Sequence, residues 1–330
     1  MILNNYDELH ELLKRSGKIL CVHGRSLSRF ERLNSMIASL PNVIHFTDYS
    51  PNPKLEDAKR ASEIECDVIL TIGGGSAIDV SKYVKLKNGN AKLVAVPTTA
   101  GSGSEATRYA VLYENGKKLS LTDDAMIPDY VMFDPELLHH MPEYVKKSSA
   151  LDAFSHALES FWSVNANSES EIYSREALSM ITRLLENYPE SYDYEAMQRA
   201  AYIAGKAINI TQTTAGHAMC YRITGIFGTS HGHSSALCNR VLFPYLVKHT
   251  ELEALNDIAN SMCCESPDEA VKKYERIFSR MNLEVPEADM NQIEELVSSV
   301  NPERLKNFPV KLTESMIREL YCDILLILRK

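Results

Sequence analysis

The chain has 330 residues, 45% of them hydrophobic and 24% charged, and a formal net charge of −9. That length holds a sizeable core and two domains, and the composition is that of a globular protein, not a disordered or fibrous one. With no Lys/Arg-rich face or run to offset the negative balance, a nucleic-acid partner is not expected. No apolar run approaches the roughly 20 residues needed to span a bilayer. The start, from Met1 to Asp7, has neither the basic flank nor the apolar core of a leader peptide. The seven cysteines are scattered and lack metal-ligand spacing. A cytoplasmic chain with reduced thiols, needing no membrane, is the expectation.

In chain order, short apolar runs alternate with helical patterns over the first 135 or so residues. Lys18 to His23 reads as a strand, Ser28 to Leu40 as a helix, and Val43 to Phe46 as a second strand. A helix from Lys54 to about Ile64 follows. Asp67 to Thr71 is a third strand, apolar throughout, as a strand buried on both faces should be. Gly73-Gly-Gly-Ser76 then opens a helix to about Val84, and Leu93 to Val96 is a fourth strand. This alternation predicts a parallel, Rossmann-like sheet with helices on both sides. Arg108 to Thr122 reads as a hairpin turning at Glu114-Asn-Gly116, and Asp129 to Phe133 as a last strand. From about Met141 the pattern is helical, including Glu169 to Leu185, Tyr194 to Ile210 and Thr313 to Leu328. The predicted architecture is an α/β domain over 1–142 and an all-helical domain over 143–330.

Two stretches suggest nucleotide binding. The glycines Gly73, Gly74 and Gly75 let the backbone approach a ligand, and the helix after them offers free N–H groups and a positive dipole end to a phosphate. The run is not the G-x-G-x-x-G fingerprint. Pro97 to Glu105 is a second small, hydroxyl-rich loop after the next strand, where ligands bind in open α/β sheets.

A third constellation suggests a metal. Asp152 and His156 are four apart in a helical run, so a carboxylate and an imidazole share one face. His217 and His231 follow in Ala215 to Tyr221 and Thr229 to Ser235. One oxygen and three nitrogen donors suit Fe(II) or Zn(II) and not calcium or magnesium.

These motifs, in this order from about Leu20 to Leu246, resemble the iron-containing (group III) alcohol dehydrogenase family, whose fold is shared with dehydroquinate synthase and glycerol dehydrogenases. The resemblance rests on Gly73 to Lys82, Pro97 to Thr107, Phe133 to Leu137, Ser149 to Ser160 and the His217–His231 segment. It implies that Asp152, His156, His217 and His231 hold the metal. It places the cofactor pyrophosphate on Gly73 to Ser76 and Asp79 near the nicotinamide. Thr98, Thr99 and Ser102 would line the groove and Lys118 would reach the ribose; Asn52 joins this cofactor set. The implied reaction is hydride transfer between NADPH or NADH and a metal-polarised carbonyl.

The sequence departs from the family pattern at two places. A second histidine commonly found four residues after the first ligand of its helix is replaced by Tyr221, which becomes, with His233, a candidate proton relay. After the first strand, Gly24, Arg25 and Ser26 stand where NAD-preferring members carry an aspartate. A guanidinium without a repelling carboxylate favours NADPH. The segments around Arg222 and His231 resemble the phosphonoacetaldehyde reductase subgroup, which implies a phosphonate-bearing aldehyde as the small-molecule partner, with Arg108 and Arg222 as anion donors. A general short-chain alcohol dehydrogenase or a polyol-phosphate dehydrogenase is the alternative, and a homodimer is expected.

Overall fold

In the computed structural model, which describes residues 1–327, the chain forms two compact units, one spanning Met1–Pro142 and one beginning at Glu143. Each is described separately.

The first unit runs β1 (Ile2–Leu3), α1 (Tyr6–Lys14), β2 (Ile19–His23), α2 (Glu31–Ala38), β3 (Val43–Phe46), α3 (Leu55–Ser62), β4 (Val68–Gly73) and α4 (Gly75–Asn88). It continues with β5 (Lys92–Pro97), the β6 (Tyr109–Glu114) and β7 (Lys117–Thr122) hairpin, and β8 (Tyr130–Met132). Six strands form one parallel sheet in the order β1-β8-β5-β4-β2-β3. Chain order reverses between β2 and β4, so the carboxyl ends of these two strands flank the crevice where open α/β sheets bind ligands. Leu20, Val22, Ile69 and Leu93 of the sheet pack with Ala58 and Ala61 of α3 and Val80 and Val84 of α4. The hairpin closes at Asn115 and Gly116, both at positive φ, as a tight two-residue turn demands.

The expected helix from Ser28 to Leu40 is instead a 3-10 turn, Arg25–Arg29, followed by α2, because Phe30 leaves helical geometry at φ −101°, ψ 75°. The short β1 and the amphipathic α1, which buries Leu9 and Leu13, were not foreseen.

The second unit runs α5 (Glu143–Trp162), α6 (Ser168–Glu186), α7 (Tyr194–Thr211), α8 (Ala215–Phe227), α9 (His231–His249), α10 (Ala254–Ser261) and α11 (Pro267–Met281). It ends with β9 (Glu287–Ala288), α12 (Met290–Ser299), α13 (Pro302–Leu305), α14 (Glu314–Ile324) and β10 (Leu326–Ile327). It is helical apart from the two-residue parallel pair of β9 and β10. The last expected helix, Thr313 to Leu328, stops at Ile324, and Leu328 lies outside the described residues. From Ala150 to Trp162 every residue of α5 is buried. A helix covered all round is a core helix, and the polar groups on it need partners inside the protein.

Candidate active site

Asp152 lies on α5 with 6% exposure, and three imidazoles converge on its Oδ1. His217 Nε2 stands 3.5 Å away, and His156 Nε2 and His231 Nε2 each 3.9 Å. Ligands about 2.0–2.1 Å from a tetrahedral ion sit roughly 3.3 Å from one another, so these distances describe a slightly expanded cage. The His156 and His217 rings stack at 4.7 Å, and His231 meets His217 edge-on at 5.1 Å. The Nε2 of His217 is buried and has no hydrogen-bond partner among the described residues. An orphaned ring nitrogen aimed at a carboxylate is what a cation would satisfy. The donor set, one carboxylate oxygen and up to three imidazole nitrogens, fits Fe(II) or Zn(II).

Close helix packing builds this cage. A Cβ on Gly232 would fall 2.1 Å from the Ser148 carbonyl oxygen and 2.6 Å from Asp152 Cβ, so only glycine lets the first turn of α9 lie against α5. A Cβ on Gly216 would fall 2.2 Å from Asn239 Oδ1 and 2.5 Å from Glu159 Oε1, which draws α8 onto the same helix. Ser235 donates to Asp152 Oδ1 at 3.3 Å.

Glu159, fully buried, orients His217. Its Oε1 accepts from His217 Nδ1 at 2.6 Å and Asn239 Nδ2 at 2.9 Å. Its Oε2 accepts from the Thr214 backbone N–H at 2.6 Å and the Thr214 hydroxyl at 2.8 Å. A carboxylate behind a histidine keeps Nδ1 protonated, so Nε2 is the nitrogen a metal ion would take in exchange for its proton. Burial works against the charge on Glu159, but His217 and the other donors hold its pKa down to about 2. Burial likewise opposes ionisation of Asp152, and the three imidazoles override it, holding the group well below the usual carboxylate range. His217 is desolvated, which alone would lower its pKa; Glu159 and Asp152 raise it to about 9. Glu159 lies seven residues after Asp152, on the same helical face as His156, so periodicity could have found it.

Tyr221 stacks on His231 with ring centroids 5.2 Å apart, and burial raises its phenol pKa. His233, expected as a proton relay, makes no ring contact with the cluster among the described residues. Two residues along α9 from His231, it turns to the Tyr144 hydroxyl at 3.2 Å, and burial pulls its pKa down to about 4. Arg222, expected as an anion donor, pairs its guanidinium with Glu295 on the surface. Arg108 belongs to the first unit, where it bonds Asp124 at 2.9 Å. Arg304, not foreseen, places its guanidinium 4.8 Å from the Tyr221 ring centroid.

In the first unit the glycine loop and the hydroxyl loop interlock. A Cβ on Gly73 would lie 2.6 Å from Ala77 Cβ, one on Gly74 3.0 Å from Thr99 Oγ1, and one on Gly75 3.1 Å from Ser102 Oγ. The N-terminus of α4 has no side-chain cap, which leaves its dipole end to a ligand; a pyrophosphate fits such a cradle. Thr98 joins the loops through its N–H to the Gly73 carbonyl at 3.1 Å. Ser76 donates to the Pro51 carbonyl, and the neighbouring Asn52 is exposed, its carbonyl accepting from Ser50. Gly24, exposed Arg25 and Ser26 follow β2 at the crevice. The Tyr49 hydroxyl lies beside both Gly24 and Gly73.

Asp79 accepts from Ser104 Oγ at 2.7 Å and the Val111 N–H at 3.1 Å, tying α4 to the loop and hairpin, and Lys118 adds a favourable charge. Lys82, fully buried, donates to Ser104, Thr107 and the Tyr109 carbonyl. Burial pulls its pKa down to about 8 and pushes buried Glu105 up to about 7. The folded pKa of Glu105 exceeds its unfolded value of about 4.3. Its contribution to stability is therefore complete below that value and is lost as pH rises towards 7. Calorimetry should show the melting temperature of wild type falling by a few degrees relative to Glu105→Gln between about pH 5 and 7. A constant difference would refute this assignment.

The family model for iron-containing alcohol dehydrogenase matches residues 3–135, and that for the C-terminal region of the Fe-containing alcohol dehydrogenase family matches residues 146–321. The chain belongs to the iron-containing alcohol dehydrogenase family. Among its relatives, Alcohol dehydrogenase 4 of Schizosaccharomyces pombe is 28% identical over 269 residues, covering 72% of this chain and 63% of that enzyme. Phosphonoacetaldehyde reductase of Streptomyces viridochromogenes is 31% identical over 222 residues, 58% of this chain and 56% of that enzyme. The crystal structure of sulfoacetaldehyde reductase from Bifidobacterium kashiwanohense in complex with NAD+ superposes with a TM-score of 0.90 at 25% identity, covering 98% of this chain and 96% of that one. This family member has no helix among its described residues long and apolar enough to cross a membrane.

Proposed function

We propose that this chain reduces a small aldehyde carrying an anionic tail, of the phosphonoacetaldehyde type, to its alcohol with NADPH or NADH. The observation that carries the reaction class is the convergence of three imidazole Nε2 atoms on Asp152 Oδ1 at 3.5–3.9 Å. When bound there, Fe(II) or Zn(II) supplies a Lewis acid for the carbonyl, while a nicotinamide supplies hydride.

The chain's own residues prepare the rest. Glu159 keeps Nδ1 of His217 protonated, which leaves Nε2 as the nitrogen that would hold a bound ion. Asp152 stays ionised and balances the cationic charge gathered around it. Tyr221, protonated at neutral pH and stacked on His231, can give its hydroxyl proton to a developing alkoxide and recover it from solvent. Gly73 to Gly75 and the uncapped start of α4 orient the dinucleotide. Exposed Arg25, with no carboxylate beside it in Gly24-Arg25-Ser26, supports a preference for the 2′-phosphate of NADPH.

Two observations support the anionic tail. The relatives include reductases of phosphonoacetaldehyde and sulfoacetaldehyde, both acetaldehydes with an acidic group. In this chain Arg304 lies over Tyr221, one ring from His231, and makes no ion pair among the described residues. A guanidinium so placed can grip a phosphonate or sulfonate through two N–H donors.

The test is NADPH oxidation by anaerobic, Fe(II)-loaded protein with phosphonoacetaldehyde against butanal. Phosphonoacetaldehyde is expected to be preferred, and Arg304→Ala to raise its KM roughly 10–100-fold, the loss of a charged hydrogen bond, without changing butanal turnover. Equal kcat/KM for both aldehydes would refute the anionic substrate while leaving the dehydrogenase, and a preference that survives Arg304→Ala would refute Arg304 as the group that grips the tail.

A further inference from the structure

We infer a second metal site, separate from the Asp152 cage, formed by Cys21 and His23 of β2 and His45 of β3. Their ligand atoms all lie within 4.8 Å of one another. The strands explain the grouping. Cys21 and His23 are two apart and share a face of β2, while the parallel register sets His45 directly beside Cys21. The opposite face of β2 carries Leu20 and Val22 into the core.

One of the ligands is already oriented. His23 Nδ1 faces the Gly24 carbonyl oxygen at 2.9 Å, and a carbonyl only accepts, so the ring proton sits on Nδ1. The lone pair of His23 Nε2 therefore points at His45 Nδ1, 2.9 Å away. A histidine whose far nitrogen is bonded to a carbonyl is the usual arrangement behind a metal ligand. Around a tetrahedral ion, nitrogen donors sit roughly 3.3 Å apart and a thiolate roughly 3.5 Å from them. The widest pair, at most 4.8 Å apart, must close by up to about 1.3 Å and the two histidine nitrogens, 2.9 Å apart, must open by about 0.4 Å, with His45, which is exposed, free to adjust.

The chemistry selects a thiophilic divalent cation of the zinc class, because sulfur with two imidazoles is a soft set that calcium and magnesium avoid. A water would complete four-coordination. Binding displaces one proton, from Cys21 sulfur, and His45 moves its ring proton from Nδ1 to Nε2. Burial holds the Cys21 thiol up to about 12, so only an ion with strong sulfur affinity can displace its proton. The ion would bridge edge strand β3 to β2 beside Gly24, at the crevice end of the sheet.

Co(II) reports this site alone, since the Asp152 cage contains no thiolate. Adding Co(II) to the full-length protein should produce an intense near-ultraviolet thiolate-to-metal charge-transfer band that Zn(II) bleaches. Cys21→Ser, nearly isosteric, and His45→Ala, at an exposed position, should each abolish the band; Cys220→Ser, beside His231, should leave it intact. Absence of the band up to millimolar Co(II), persistence of the band in either the Cys21 or the His45 variant, or its loss in Cys220→Ser would overturn the assignment.

Discussion

Asp152→Asn is expected to lower kcat/KM for aldehyde reduction roughly a thousandfold, equivalent to about 4 kcal/mol of lost transition-state stabilisation. Asparagine has the same shape, and its Oδ1 can still accept from Ser235. What disappears is the negative charge that three imidazoles surround at 3.5–3.9 Å. The bound-metal content of the purified variant should fall with the activity, while its circular dichroism matches wild type. A variant that keeps its metal and turns over normally would show that the cage is not the catalytic centre.

Glu159→Gln is expected to weaken metal binding roughly 10–100-fold, the scale of losing a group that orients a ligand. Its carboxylate accepts from His217 Nδ1, Asn239 Nδ2, and the N–H and hydroxyl of Thr214. An amide in its place turns one acceptor into a donor facing donors, and each buried group left unpaired costs about 1–3 kcal/mol. Competition titration with a chelating dye gives the affinity, and urea melts of metal-free protein give the stability. A stability loss with unchanged metal affinity would make Glu159 a structural residue alone.

The sequence made legible what local spacing encodes. The strand-to-glycine transition at Thr71–Gly75 marked the crevice end of β4, and the Asp152–His156 interval marked one face of α5. Tertiary direction was not legible there. Arg222 and His233 stand in segments rich in site residues, yet each projects away from its neighbour in the cluster: Arg222 to Glu295, His233 to Tyr144. A helix offers every residue a different azimuth, so proximity in sequence does not imply a shared face. Arg304 was invisible for the opposite reason, since the stretch after Leu246 carries no motif and only folding brings α13 to Tyr221. The grouping of Cys21 with His45 needs the β2–β3 register, which cysteine spacing cannot reveal.

The most direct test of the central claim is removal and return of the metal. Protein stripped with a chelator should oxidise no NADPH in the presence of an aldehyde. Anaerobic addition of Fe(II) should restore turnover in wild type and not in Asp152→Asn. Turnover that persists in the stripped protein, or full restoration in the variant, would contradict a metal-dependent hydride transfer built on Asp152, His156, His217 and His231.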